Sequence, residues 1–386
     1  MVPKRRFKEF LNAGDWEQCK LGDIVDFLDG QRKPLKESER IKGKYPYYGA
    51  SGIIDYINDY LFDENLVLLS EDGANIIDRN YPICFIATGK YWVNNHAHVL
   101  KVKTGIIDRF ICESLERLDY TKFNTGTAQP KLNQDICQKI VITIPNEDEQ
   151  KCISEFLDRI NHIITLYQRK LDKLQATKKA LLQEMFPEEG QDKPKRRFKG
   201  FTDAWEQRKL DEVCNVYDGT HQTPRYTNSG VMFVSVEDIE TLESNKYITE
   251  EDFKSEFKVF PEYGDILLTR IGDVGSANVI LDEIKRAYYV SLALLKPKNI
   301  NSLFLLALLG SSSVQSEIWR RTLHIAFPKK INKNEINKVI VKQPSIPEQE
   351  KIGKLFFSLD QTITLHQRKL DKLKNLKQAY LNEMFV

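Results

Sequence analysis

The chain states its framework twice. Lys4-Arg5-Arg6-Phe7-Lys8 returns as Lys195-Arg196-Arg197-Phe198-Lys199, and Trp16-Glu17-Gln18 returns as Trp205-Glu206-Gln207. Gln168-Arg169-Lys170-Leu171-Asp172-Lys173-Leu174 returns as Gln367-Arg368-Lys369-Leu370-Asp371-Lys372-Leu373, and Glu184-Met185-Phe186 as Glu383-Met384-Phe385. Between these near-identical stretches lie two long segments that differ. Any fold must therefore build one frame twice and tolerate two different inserts. Such a chain is suited to holding two unlike readers at a set separation, a bipartite recognition device that needs no active site of its own.

The 386 residues suffice for two or more domains with real cores, and 41% hydrophobic with 29% charged residues is ordinary for a globular protein. A formal net charge of +2 says nothing about partners, so only local patches can. Cys19, Cys84, Cys112, Cys137, Cys152 and Cys214 form no CxxC pair and no Cys/His cluster, which favours reduced thiols over disulfides or zinc. The start of the chain is basic and polar rather than apolar, and the longest apolar run, 303–309, is too short to span a bilayer. A cytoplasmic, non-membrane protein is expected.

Each repeat ends in a helical pattern. Ile153, Leu157, Ile160, Ile164, Tyr167, Leu171, Leu174, Lys178, Leu181 and Met185 alternate steps of three and four, a heptad stripe. The second copy keeps the register with Ile352, Phe356, Leu359, Ile363, His366, Leu370, Leu373, Lys377, Tyr380 and Met384. A helix over 149–186 would span about 57 Å. Proline-containing loops precede both (Pro145; Pro344 and Pro347) and suit helix starts. The two stripes predict that the helices pack on each other, antiparallel, with the variable segments at opposite ends.

The variable segments, about 14–142 and 203–341, read as mixed α/β. Short β-like runs at 66–69, 83–87, 98–102 and 140–144, and again at 231–236, 265–269, 292–295 and 339–341, alternate with Gly/Asn/Asp turns and short helices. They are distant versions of one scaffold. Asp29-Gly30 matches Asp218-Gly219, and Leu68-Leu69-Ser70 with Gly73 matches Leu267-Leu268-Thr269 with Gly272. Pro130-Lys131-Leu132-Asn133 lines up with Lys329-Lys330-Ile331-Asn332. The expected class is α/β, mixed α+β: two globular domains, two long helices packed as an antiparallel coiled coil, and a pseudo-twofold tandem repeat.

Enzymatic signatures are missing. Thr88-Gly89-Lys90 lacks the upstream Gly and following Ser/Thr of a phosphate loop. No Gly-rich strand-to-helix turn marks a dinucleotide or methyl-donor site, and no Asp/Asn-Pro-Pro-aromatic run marks an amino-methyltransferase pocket. His96 and His98 could share a strand face, but with no third ligand nearby they read as polar-surface or DNA-contacting histidines rather than a metal site.

Basic, amide and aromatic residues cluster where acids are scarce. From 79 to 107 there is no Asp or Glu, while Arg79, Lys90, Tyr91, Trp92, Asn94, Asn95, His96, Lys101 and Lys103 are present. The loop 125–133 is acid-free, and 319–342 carries seven Lys/Arg against Glu335 alone. Asp218-Gly219-Thr220-His221-Gln222-Thr223-Pro224-Arg225-Tyr226 is a punctuated loop rich in donors. Lys and Arg neutralise phosphates, and Asn, Gln, Arg and Ser/Thr read base edges. The acidic run 237–256 should face away from any phosphate.

In these features the chain resembles the specificity subunit of type I restriction-modification systems. The resemblance covers the whole chain. It rests on two variable domains, two repeated helical regions, the Trp-Glu-Gln start followed by Lys-Leu, Gly126-Thr127-Ala128-Gln129-Pro130-Lys131-Leu132-Asn133, and the Pro…Glu-Gln entry to each helix. The second domain departs at 322–332, where only the Pro-Lys-x-Ile-Asn tail is kept. The resemblance implies target-recognition domains at 1–145 and 191–343, and conserved helical regions at 146–190 and 344–386. Each domain would bind half of an asymmetric, gapped double-stranded DNA target, with the helices fixing the gap. The implied partners are two methyltransferase subunits using S-adenosylmethionine and two restriction/translocase subunits using ATP and Mg, with no cofactor, metal or catalytic residue on this chain. Two other readings remain open from the residues: a protein-binding coiled-coil scaffold, and a self-contained nuclease or methyltransferase, against which the missing motifs argue.

The candidate DNA-contacting residues are Tyr47, Tyr48, Lys90, Trp92, Asn94, Asn95, Gln129 and Lys131 in the first repeat. In the second they are His221, Gln222, Thr223, Arg225, Arg270, Lys329, Lys330 and Asn332. Tyr47 and Tyr48 fit core positions equally well.

Overall fold

The computed structural model describes residues 2–386. The chain divides into two compact units, one built from residues up to Tyr167 together with Lys369–Val386, the other from Gln168–Arg368. This differs from four consecutive segments for a simple reason: each long helix begins in one unit and ends in the other.

The first unit centres on a four-stranded antiparallel sheet in the order Val25–Phe27, Ala97–Val102, Leu66–Ser70, Cys84–Ala87. Its strand Leu66–Ser70 is buried along its whole length, as an uninterrupted apolar run demands. A second sheet orders Gly52–Ile57, Lys42–Gly49, Lys90–Val93 and Phe62–Asp63, with its middle pair parallel. Glu17–Lys20 pairs with Val141–Ile144 at the entry to the first long helix.

The second unit repeats the plan. Cys214–Asp218, Leu292–Pro297, Ile266–Thr269 and Ala277–Val279 form the antiparallel sheet in the same order. Tyr247–Ile248, Val231–Val234 and Arg286–Tyr288 form the second sheet, again with a parallel pair. Glu206–Lys209 pairs with Ile340–Gln343. Strands occur at all eight expected β-like runs. All six cysteines are free thiols, four of them buried.

The long helices span Glu147–Glu184 and Ile346–Met384. The first starts where the Asn146 side chain accepts the Glu149 amide at 2.9 Å, with Glu147, Asp148 and Glu149 in the positive first turn. Its heptad stripe is buried or half-buried at every position, while the flanking positions are mostly exposed. The packing is antiparallel in each unit. In the first, Phe156 meets Tyr380 edge-on at 4.9 Å, and Ile153 and Leu157 share a core with Leu381 and Met384. In the second, Lys178 reaches Asp360 at 2.5 Å, and Met185 and Phe186 share a core with Ile352 and Phe356.

The repeated motifs are the contacts of this frame. Arg6 forms a forked pair with buried Glu149 at 2.6 and 2.7 Å, and Arg197 does the same with Glu348 at 2.7 and 2.8 Å. The neighbouring Arg5 pairs with Glu383 and Arg196 with Glu184, both at 2.6 Å. Each Lys-Arg-Arg-Phe segment thus fastens the start of one long helix to the end of the other. Gln150 accepts the Ile107 amide and donates to the Pro145 carbonyl; Gln349 repeats this with Asn301 and Pro344. Trp16 packs on Phe110 and Phe385, and Trp205 on Phe304 and Phe186. The tryptophan of each repeat is therefore covered by the closing Phe of the other repeat.

Candidate nucleic-acid interface

In the first unit, residues 71–73 are the node that positions the loops. The Glu71 amide donates to the His96 carbonyl, the Leu132 amide to the Glu71 carbonyl, and the Gly73 amide to the Pro130 carbonyl, at 2.7–3.0 Å. The turn at Asn95 and His96 and the loop 125–131 are thereby held side by side. That loop closes through Thr125 N–H to the Lys131 carbonyl at 2.8 Å. Gly126 is required there, because a Cβ would lie 1.8 Å from the Gln129 carbonyl oxygen. Gln129, Lys131 and Asn95 are exposed, and so is Lys90, which lies over the Tyr60 ring.

Two candidates of the first unit, Trp92 and Asn94, sit elsewhere than the sequence reading placed them, and Tyr47 and Tyr48 take the core alternative left open for them. Tyr47 is buried, accepting the Leu35 amide at 2.9 Å with the Arg40 guanidinium over its ring. Trp92 is buried and donates its Nε1 hydrogen to the Lys33 carbonyl at 2.6 Å. Asn94 is buried and caps the turn by accepting the His96 amide. Tyr48 is half-buried, stacked on Phe85 and edge-on to Tyr91, and burial raises its pKa. These side chains support the loops, and Tyr47, Trp92 and Asn94 have no face left for a base.

His98 is also corrected. It is buried, with Nδ1 2.6 Å from Asp29 and Nε2 2.7 Å from the Leu132 carbonyl. Burial pulls its pKa down, but the Asp29 bond and the Cys137 thiol outweigh that and push it up to about 10. Donors of Asp29, Glu71 and His98 lie within 4.8 Å of one another, a spacing a metal could use. Arg32 already fills the cationic role, donating to Glu71 at 2.6 Å and standing 3.3 Å from Asp29. The cluster is an ion-pair node that fixes the root of the 125–131 loop.

The second unit carries the same node with other residues. The Arg270 amide donates to Ser291, the Ile331 amide to the Arg270 carbonyl, and the Gly272 amide to the Lys329 carbonyl. Arg270 is buried against Asp218, and its Nε donates to the Ile331 carbonyl at 3.2 Å. It is a loop anchor rather than a base reader, which corrects its place among the candidates. His221, Gln222, Thr223 and Arg225 are exposed on the loop that follows Asp218, and Lys329, Lys330 and Asn332 are exposed on the other. Sequence reasoning missed Asp29, Arg32, Glu71 and Asp218. The matched Asp-Gly pairs were the available signal for two of them. A cleft of about 670 Å³ opens at the root of the 323–330 loop, beside Asp273, Gln315, Trp319 and His324.

Two twin units, each presenting exposed polar loops on an ion-paired root, define a two-headed recognition scaffold. The type I restriction modification DNA specificity domain matches residues 13–176 and 202–375. The chain belongs to that family: it is a type I restriction-modification specificity subunit, a recognition component and not a catalytic one. A Haemophilus influenzae candidate type I restriction enzyme specificity subunit is 36% identical over 161 residues, 42% of this chain and 41% of that protein. The MjaVIII specificity subunit of Methanocaldococcus jannaschii is 23% identical over an alignment of 402 positions, covering 95% of this chain and 91% of that one. The crystal structure of the type I restriction-modification S subunit from M. genitalium superposes with a TM-score of 0.73 at 15% identity, over 100% of this chain and 99% of that one. Among the described residues no helix is long and apolar enough to cross a membrane.

Proposed function

We propose that each unit reads one half of an asymmetric, gapped duplex target, and that the long helices set the gap and dock two methyltransferase subunits. Adenine methylation and cleavage are then carried out by those subunits and by two restriction/translocase subunits. S-adenosylmethionine, ATP and Mg belong to these partners. The observation that carries the reading is the contrast between frame and loops. Contacts such as Arg6–Glu149 and Arg197–Glu348 are duplicated, whereas the exposed tips 126–130 and 324–329 share almost no chemistry. Unlike tips on like roots suit unlike half-sites. Exposed Ile163, Leu166 and Leu376 on the outer helix faces suit docking by partner helices. Readers on one face of B-DNA want centres about 34–36 Å apart, and helices of about 57 Å are long enough to hold them.

Methylome sequencing tests this directly. A host without its own system, given this chain and its neighbouring methyltransferase subunit, should carry modified adenines in one gapped, asymmetric motif. No modification, with that methyltransferase competent on another specificity chain, would sink the reading. Removing one heptad from both helices should change the gap and leave both half-site sequences intact; unchanged spacing would refute the ruler.

A further inference from the structure

In the second unit the 323–330 hairpin is firmly rooted. Leu323 N–H donates to the Lys330 carbonyl at 2.8 Å, and buried Arg270 and Gly272 bond the returning strand. Yet its tip carries Ile325 at 99% and Phe327 at 104% exposure, the two most exposed large apolar side chains among the described residues. Large apolar side chains gain stability when removed from water, and these two are left in it. The surroundings are cationic. Between Glu317 and Glu335 the sequence holds no acid. Lys329 and Lys330 are exposed and form no ion pair among the described residues, while the His324 ring lies tilted against Trp319 at 4.6 Å. Three nearby acids are engaged by cations: Glu189 holds Arg320 at 2.8 Å, Glu317 holds Arg320 and Arg321, and Glu335 holds Arg321 and Lys338; Asp273, in the cleft with Lys329 and His324, accepts the Ser276 hydroxyl. Two apolar side chains on a firmly rooted, cation-flanked tip fit a polyanion with a hydrophobic interior better than they fit a broad protein surface. The matching tip of the first unit, Gly126-Thr127-Ala128-Gln129-Pro130, has no large apolar side chain.

We infer that Phe327, backed by Ile325, is a wedge that enters the base stack of the half-site bound by the second unit and unstacks one step, while Lys329 and Lys330 hold the flanking phosphates. Apolar side chains inserted this way kink a duplex and make its deformability part of the recognised sequence. The inference rests on the DNA-reading function proposed above, and it makes the distortion one-sided.

The test uses the complex of this chain with its methyltransferase subunits, on duplexes bearing the motif read by methylome sequencing. 2-Aminopurine is placed at each step in turn, excluding the methylated adenines. Fluorescence should rise at one step in or beside a single half-site. Phe327→Ala should abolish that rise and weaken binding roughly 5- to 150-fold, the range of one lost base–aromatic stack, while Phe327→Leu keeps part of both. Tight binding with no brightening, or brightening unaffected by Phe327→Ala, overturns the wedge and leaves the DNA-reading function standing. Loss of the methyltransferase subunits from the Phe327→Ala complex also overturns it, marking the tip as a protein contact. No duplex binding by the unaltered complex overturns the underlying reading with it.

Discussion

The two units hold the same loop with different ions. In both, an aspartate at the end of the first strand of the central sheet or just past it (Asp218, Asp29) pairs with a buried cation that also holds a carbonyl at the loop root, Ile331 in one and Leu132 in the other. The cation comes from different strands. His98 supplies it in the first unit, from the strand opposite Leu69, where the second unit has Ala293 opposite Leu268. Arg270 supplies it in the second, from the position that Glu71 occupies in the first, where the extra carboxylate is balanced by Arg32. A second pair of sites behaves alike. Lys377 meets Glu113 on a short helix of the first unit, beside Asn161; its counterpart Lys178 meets Asp360, which stands where Asn161 does, and Ala307 replaces Glu113. The partnership persists while its carriers move. What is retained is the electrostatic role of a place in the fold rather than the residue at one position.

The sharpest way to break this likeness is through the frame. Phe186 stacks on Phe304 and meets Trp205, and Phe385 stacks on Phe110 and meets Trp16. Either Phe→Ala change should cost about 3–5 kcal/mol. The decisive point is location. Phe186→Ala, though in the first repeat, should loosen the second unit, and Phe385→Ala the first, as read by amide exchange of the two central sheets. Loosening confined to the repeat that carries the mutation would contradict the exchanged packing.

Arg270→Met comes next. It strips the cation from Asp218 and a donor from the Ile331 carbonyl, at a cost of roughly 2–4 kcal/mol, concentrated at the 323–332 hairpin. His98 allows a finer comparison. Its folded pKa of about 10 lies above the ordinary 6.5, so the imidazolium is favoured by folding. The stability it contributes is full below pH 6.5 and fades as pH climbs towards 10. Guanidinium groups in general keep their charge in proteins. Exchange protection of the Leu132 amide, corrected for intrinsic rates, should therefore fall from pH 6.5 to 10 while that of Ile331 stays level, and His98→Gln should flatten the first profile. Parallel profiles would show that the two cations are not equivalent.

This relocation of charge explains what the sequence could and could not reveal. The helices, their antiparallel pairing and the eight strands were legible because they rest on periodicity and on motifs present in duplicate. Exposed loop residues such as Gln129, Arg225 and Lys330 were legible because Gly and Pro punctuate their loops. Arg270, Trp92 and Asn94 misled because a cation, an indole and an amide have the same composition signature whether they face a groove or satisfy a buried carbonyl. His98 and Glu71 lie 27 residues apart in sequence, and only the pairing of Leu69 with His98 brings them to one node.

Gln129→Ala and Arg225→Ala carry the comparison to the half-sites. Each should relax sequence choice in one half-site by roughly 1–3 kcal/mol, and in different halves, as read by methylation of randomised targets. A uniform loss over all sequences would assign the residue to a phosphate instead.

The smallest effect is expected at Lys178. Its partner Asp360 has a side chain 37% exposed, and Lys178 itself is 32% exposed, so water screens the pair and Lys178→Met should cost no more than about 1 kcal/mol. Lys377→Met is the informative contrast. The Glu113 side chain is only 3% exposed, held by Lys377 at 3.1 Å, by Arg109 at 3.2 Å and by Asn161 at 3.1 Å. Removing one of two cations from a buried carboxylate leaves it under-compensated, where the loss at Asp360 is made good by solvent. The heptad position and the lysine are the same, so a difference measured between the two variants reports the surroundings of the carboxylate, its burial first. Equal losses would mean that the stripe, and not the charge it carries, is what each lysine serves.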